Sequence, residues 1–141
     1  MPSDVKEGLD GPPYPYQELL GYEIREWEEG RCLVSMPIGD RHTNRHGLPH
    51  GGVYASLLDT AMGFAGSYSP PGQEKRFALT LSLTTNFLSR PKGTVLMTEA
   101  TVTGGGRNTF FCEGRIVDET GEVIATAVGT FRIRRSKGLD G

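Results

Sequence analysis

The order of strand-like and helical segments predicts an α+β domain in which one long helix lies against a roughly six-stranded antiparallel sheet. Two observations carry this. Between residues 50 and 68, apolar side chains recur at helical spacing over the only long stretch suited to a helix. After residue 76 the chain turns to runs rich in Thr, Val, Ile and Phe, broken by turns that carry Gly and Pro.

In chain order, residues 1–13 are polar and rich in Gly and Pro and read as a flexible tail. Residues 14–20 suit a short helix stopped by Gly21. Two strands follow at 22–28 and 32–37, joined through Glu29-Gly30, and residues 38–49 form a loop carrying three histidines. The long helix spans 50–68 and gives way to the loop Ser69-Pro70-Pro71-Gly72. Four strands at 76–88, 94–103, 108–118 and 122–134 complete the domain. Their short connections make them antiparallel neighbours in chain order. The organisation is thus one domain over 14–134 with a C-terminal tail at 135–141.

Charge is nearly balanced at −2, with no basic groove or stripe, so the composition argues against nucleic-acid and membrane partners. The run Arg132, Arg134, Arg135, Lys137 reads as a solvated strand end. Two cysteines, Cys32 and Cys112, fall inside strands and do not make a disulfide framework; small buried hydrophobes in a reducing cytoplasm are the simplest reading. No apolar leader opens the chain, and no stretch is long enough to span a bilayer.

The helix carries the functional signal. At about 100° per residue, Val53, Tyr54, Leu57, Leu58, Ala61, Met62 and Ala65 share one face. The opposite face holds Ala55, Ser56, Asp59, Gly63 and Gly66, and Asp59 is the sole charge between Arg45 and Glu74. A water-facing helix surface normally carries Lys, Glu or Arg, so this face is expected to be covered from outside the domain, leaving Asp59 buried. A lone buried acid is costly and tends to mark a site; a structural ion pair is the plainer alternative. His50-Gly51-Gly52 opens the same helix with two glycines, leaving unshielded amides suited to an anion or a polarised carbonyl. Asn44 lies in the loop just before. His42, His46 and His50 repeat every four residues, but Gly47 and Pro49 interrupt them, and no metal is expected.

The segment from Asn44 through Gly47 and His50-Gly51-Gly52 to Asp59 resembles the signature of PaaI-type thioesterases. These belong to the 4-hydroxybenzoyl-CoA thioesterase branch of the hotdog superfamily. The run Thr80 to Pro91, Gly106-Arg107 and the segment Gly121 to Thr130 fit the same family. Pro49 departs from it, since an aliphatic residue usually precedes the histidine. The resemblance implies a hotdog fold, with the helix wrapped by the sheet and active sites between the subunits of a homodimer or homotetramer. It implies hydrolysis of an aryl- or medium-chain acyl-CoA, CoA being part of the substrate and no cofactor being needed. Gly51, with Gly52, would polarise the thioester carbonyl, and Asn44 and His50 would position substrate or water. Asp59 from the facing subunit would act as general base or nucleophile, and Thr80, where relatives carry Ser or Thr, would orient it. Arg90 and Arg107 are candidate contacts for CoA phosphates. A non-catalytic acyl-CoA-binding protein and a hotdog hydratase or dehydratase are the alternatives on the same fold.

Overall fold

A computed structural model describes residues 8–136 of the chain. The elements are α1 (Pro15–Leu20), β1 (Glu23–Glu28), β2 (Arg31–Pro37), α2 (Gly51–Ser67), β3 (Arg76–Phe87), β4 (Val95–Gly105), β5 (Thr109–Asp118) and β6 (Val123–Arg135). Helix α1 starts with a proline, whose missing N–H costs nothing there, and ends at Gly21 with φ 82°. The expected segments all appear, within a residue or two at each end.

The predicted stripe of α2 is its buried face: Val53, Tyr54, Leu57, Leu58, Ala61, Met62 and Ala65 all lie in the core. Against them the sheet presents Val34, Met36, Leu96, Phe110, Ile116, Ala127 and Phe131. Leu57, Leu58 and Met62 are fully buried, each contributing about 1.5–3 kcal/mol. Close approach of helix to sheet depends on Gly114, where a Cβ would stand 3.1 Å from Leu58.

Sheet order differs from the expected meander. All six strands form one antiparallel sheet, ordered β1-β2-β4-β5-β6-β3, so β3 pairs with β6 and β4 with β2. The chain gets from β3 to β4 by a crossing segment, residues 88–94, over the ends of β6 and β5. Leu88 and Ser89 donate to the Ile124 carbonyl, Lys92 and Gly93 to Asp118, and Thr94 to Glu119. Three strand spacings come to about 14 Å, within the roughly 23 Å that seven residues can span. Chain-order pairing is a tendency, and here the carboxylates at the β5–β6 turn satisfy the crossing backbone that a tight hairpin would otherwise have paired.

Strand β3 therefore ends the sheet as an edge. Phe77, Leu79, Leu81, Phe87 and the following Leu88 are between 41% and 58% exposed, an apolar edge unusual for an isolated chain.

The expectation that something outside the domain covers the second face of α2 is corrected in part. Gly63 lies against Ala78 and Phe131, and a Cβ on Gly66 would overlap the Phe110 ring, so this chain's own sheet curls far enough to reach them. Tyr16 of α1 meets Ser56 at 2.6 Å. Asp59 is only partly buried in the single chain, where burial had been expected, because a cavity opens beside it.

Candidate active site

The loop before α2 is built by its polar residues. Asn44 Oδ1 accepts from the amides of His46 and Leu48, closing a turn whose Gly47 has φ 77°. Its own N–H donates to the Leu48 carbonyl. The buried His42 Nδ1 accepts from Gly39 N–H, and its Nε2 bonds the Leu20 carbonyl at 2.6 Å. Both ring nitrogens of His42 are thus occupied by backbone, which removes it from any metal set.

His50 caps α2. Its backbone N–H donates to the His42 carbonyl, and its Nδ1 accepts from Gly52 N–H at 2.8 Å. That bond takes one of the two amides considered for the substrate, and Gly51 N–H alone of the pair is left without a partner among the described residues. Crowding bears on Gly52 more than on Gly51, whose Cβ would make an ordinary contact. A Cβ on Gly51 would stand 3.4 Å from the Phe87 ring, and one on Gly52 would stand 3.0 Å from His50 Nδ1.

Two turns along, Thr80 Oγ1 of β3 donates to Asp59 Oδ1 at 2.6 Å. The pairing of β3 with β6 is interrupted there: Thr80 opposes Phe131 and Ser82 opposes Thr130, leaving Leu81 as a bulge. Asp59 and Thr80 stand on the wall of a cavity of 680 Å³ that follows the second face of α2. Thr60, Gly63, Phe64 and Ser67 of α2 line it, together with Ala78 of β3 and Phe131 of β6. Trp27 of β1 faces it from the other edge of the sheet, with Tyr14 and the turn at residues 8–11.

Gly51, Gly52, His50 and Asn44 are gathered at the entrance of α2, and Asp59 and Thr80 form a separate pair. On one helix the Gly51 amide and Asp59 are eight residues, about 12 Å, apart, with the amide pointing away along the axis. Arg90 is in the crossing segment at the Phe87 end of the sheet, the end at which α2 begins, whereas Arg107 is in the β4–β5 loop at the opposite end. The two arginines therefore do not share a site within one chain. What the sequence did not reveal is the cavity wall opposite β3. Tyr14, Trp27 and residues 8–11 come together only through the fold, and residues 8–11 had been assigned to the tail. Gly8 and Gly11 exchange backbone hydrogen bonds of 2.9 and 3.1 Å in a closed turn.

Comparison with known proteins agrees with this fold. The thioesterase superfamily profile matches residues 46–125, which include His50, Gly51, Gly52, Asp59 and Thr80 but not Asn44. The 1,4-dihydroxy-2-naphthoyl-CoA hydrolase of Listeria monocytogenes is 25% identical over 121 residues, 86% of this chain and 97% of that protein. A Bacillus halodurans protein solved with CoA superposes with a TM-score of 0.74 at 34% identity, over 86% of this chain and 79% of that one. The Escherichia coli PaaI protein, from the phenylacetic acid degradation operon, gives a TM-score of 0.74 at 27% identity, over 83% and 82%. The chain belongs to the thioesterase superfamily and is a thioester hydrolase of the hotdog fold.

Proposed function

We propose that this protein hydrolyses aryl- or medium-chain acyl-CoA thioesters, with Asp59 as general base and the Gly51 amide polarising the carbonyl. The observation that carries the reading is the 2.6 Å hydrogen bond from Thr80 to Asp59 on the wall of a 680 Å³ cavity. CoA in the Bacillus halodurans relative and the naphthoyl-CoA substrate of the Listeria enzyme support CoA as the carrier.

Attack of water on the thioester carbon places negative charge on the carbonyl oxygen, which the Gly51 N–H and the positive end of α2 stabilise. Asp59 takes the proton of that water while Thr80 holds Oδ1, leaving Oδ2 toward the reaction. Collapse of the tetrahedral adduct breaks the C–S bond. The departing sulfur takes the proton back from Asp59, giving acid and free thiol. Asn44 Nδ2 and the second ring nitrogen of His50 remain as donors at the entrance. No cofactor enters this scheme.

One chain cannot assemble these parts, since its Gly51 amide points away from its own Asp59. Two copies joined through the apolar β3 edge would set their α2 helices antiparallel, bringing Gly51 of one copy to Asp59 of the other. The proposed active unit is therefore at least a homodimer. Arg90, at the end of the sheet where α2 begins, is the better placed of the two arginines for CoA phosphate. The described residues contain no helix long and apolar enough to cross a membrane. The buried free thiols of Cys32 and Cys112 suit a reducing cytoplasm.

The test is a thiol-release assay over a panel of aryl and aliphatic acyl-CoAs, with Asp59→Asn alongside. The variant should stay folded and associated, and kcat should fall about 100-fold or more. Near-full activity in Asp59→Asn would sink the assignment.

A further inference from the structure

Two tyrosines are buried in the core, and they differ at the hydroxyl. Tyr22 pairs its hydroxyl with that of Tyr14 at 2.5 Å. Tyr54, on the buried face of α2 and 6% exposed, has no hydrogen-bond partner among the described residues. Thr98 Oγ1 is sealed in the core without a partner; the Tyr54 oxygen is not, so its ring is covered while its hydroxyl end reaches the surface. Burial raises the phenol above its ordinary pKa, so the group is an O–H donor at neutral pH. A buried tyrosine normally finds a partner for its hydroxyl, and phenylalanine would fill the same space without that need.

The hydroxyl emerges at the end of the domain where α2 begins. Helical Cα–Cβ bonds tilt toward the N-terminus, and a long side chain lies back over the preceding turn. Tyr54 comes three residues after Gly51, about 4.5 Å along the axis. Its ring packs beside Phe87 with 6.2 Å between centroids, and the same Phe87 ring stands 3.4 Å from where a Cβ on Gly51 would be. Phe87 closes β3, and the crossing segment that carries Arg90 starts at the next residue. Tyr54 does not line the cavity beside Asp59, so its hydroxyl is outside the space proposed for the acyl group.

With the thioester carbonyl at Gly51 and a CoA phosphate at Arg90, the arm joining sulfur to phosphate passes Phe87. That arm carries two secondary amides, the first of them two methylenes from the sulfur. An amide carbonyl is the acceptor that a lone phenol lacks, whereas a phosphate oxygen is better matched by a cation. We propose that Tyr54 is a substrate-binding residue, donating its hydroxyl to the arm's amide carbonyl nearest the thioester sulfur. This rests on the hydrolase reading for the placing of sulfur and phosphate, but its test does not need turnover. Every phosphopantetheine thioester has that amide, so Tyr54 favours such carriers over simple thioesters and does not separate CoA from a carrier protein. A neutral hydrogen bond of this kind changes affinity about three- to tenfold.

Thioethers, which cannot be hydrolysed, serve as probes. S-benzyl-CoA and N-acetyl-S-benzylcysteamine keep the amide, and benzyl pentyl sulfide has a chain of the same length without it. Trp27 is the chain's only tryptophan and lines the cavity that would take the benzyl group, so its fluorescence reports binding. Tyr54→Phe should weaken both amide-bearing probes about threefold or more and leave benzyl pentyl sulfide unchanged. Its melting temperature should hold or rise, because the hydroxyl has no partner inside the chain. Unchanged affinity for the amide-bearing probes, or equal weakening of all three, would overturn the proposal. So would a lower melting temperature, the mark of a purely structural role, and so would failure of the unmutated protein to bind S-benzyl-CoA. Thiol release from the acyl-CoA panel is scored separately. Tyr54-dependent binding of the amide-bearing probes without turnover would end the hydrolase reading alone, and turnover without that dependence would end this one alone.

Discussion

Replacing Thr80 with valine tests the site with little disturbance of the fold. Valine keeps the β-branched shape and the strand preference and removes only the hydroxyl that donates to Asp59 Oδ1 at 2.6 Å. A hydrogen bond to a charged group contributes about 1.5–3 kcal/mol. Thr80 is exposed and Asp59 only partly buried in the single chain, so the lower end applies. Loss of roughly 1.4 kcal/mol from the transition state lowers kcat about tenfold. KM should change little, because the bond orients the base and does not touch the acyl-CoA. The assay is steady-state thiol release on Thr80→Val and Thr80→Ser, with association state and melting temperature recorded for each. Serine, which keeps the hydroxyl, should recover most of the rate. A folded, associated Thr80→Val with kcat within twofold of the unmutated protein would refute the claim that this bond holds Asp59 for catalysis.

Two further expectations concern groups outside the chemistry. Asp118 is buried and accepts from Lys92, Gly93, Thr120 and Glu122 amides and from the Thr120 hydroxyl, bonds that hold its carboxyl well below the usual carboxylate range. Its stabilising effect is therefore complete above about pH 4 and fades as pH falls toward the depressed value. Asp118→Asn should melt lower at neutral pH and lose less on acidification, and parallel melting curves for the two proteins from pH 7 to pH 3 would count against it. Cys32 and Cys112 are buried, and burial pushes both thiols up to about 12. Neither should react with an aromatic disulfide reagent at pH 8 until denaturant is added, and fast labelling of native protein would contradict that burial.

The sequence carried those parts of the architecture that depend on neighbours along the chain. The apolar stripe of α2 needs only helical periodicity, and His50-Gly51-Gly52 with Asp59 needs only spacing within one helix. Sheet order depends on something else. Whether β3 pairs with β4 or β6 is decided by the crossing segment at 88–94, and the groups that hold it are Asp118 and Glu119 in an Asp-Glu-Thr-Gly turn. In sequence such a turn is indistinguishable from a solvated one. The turn at residues 8–11 was hidden for a similar reason, since a polar Gly- and Pro-rich stretch carries no periodicity to indicate that a cavity lies beside it. The small residues on the back of α2 were a real signal of close approach, but composition could not say whose backbone or ring would approach. For Gly63 and Gly66 it is this chain's own Ala78, Phe131 and Phe110.

The bulge at Leu81 connects the two halves of the site. Thr80 must face α2 to reach Asp59, and Phe87 must face α2 to lie over Gly51. They are seven residues apart, an odd number, so a regular strand would point them to opposite faces of the sheet. Their partners on β6, Phe131 and Ala125, are six apart and both buried beneath the helix. The single extra residue reconciles the two counts, and it lies immediately after Thr80. Moving the bulge beyond Phe87 would turn that ring away from Gly51, and removing it would turn either Thr80 or Phe87 outward. A defect in strand pairing at the sheet edge thus lets one strand hold both the carboxylate and the helix entrance. An edge strand can accommodate such a defect at low cost, because only one neighbour's hydrogen bonds are disturbed.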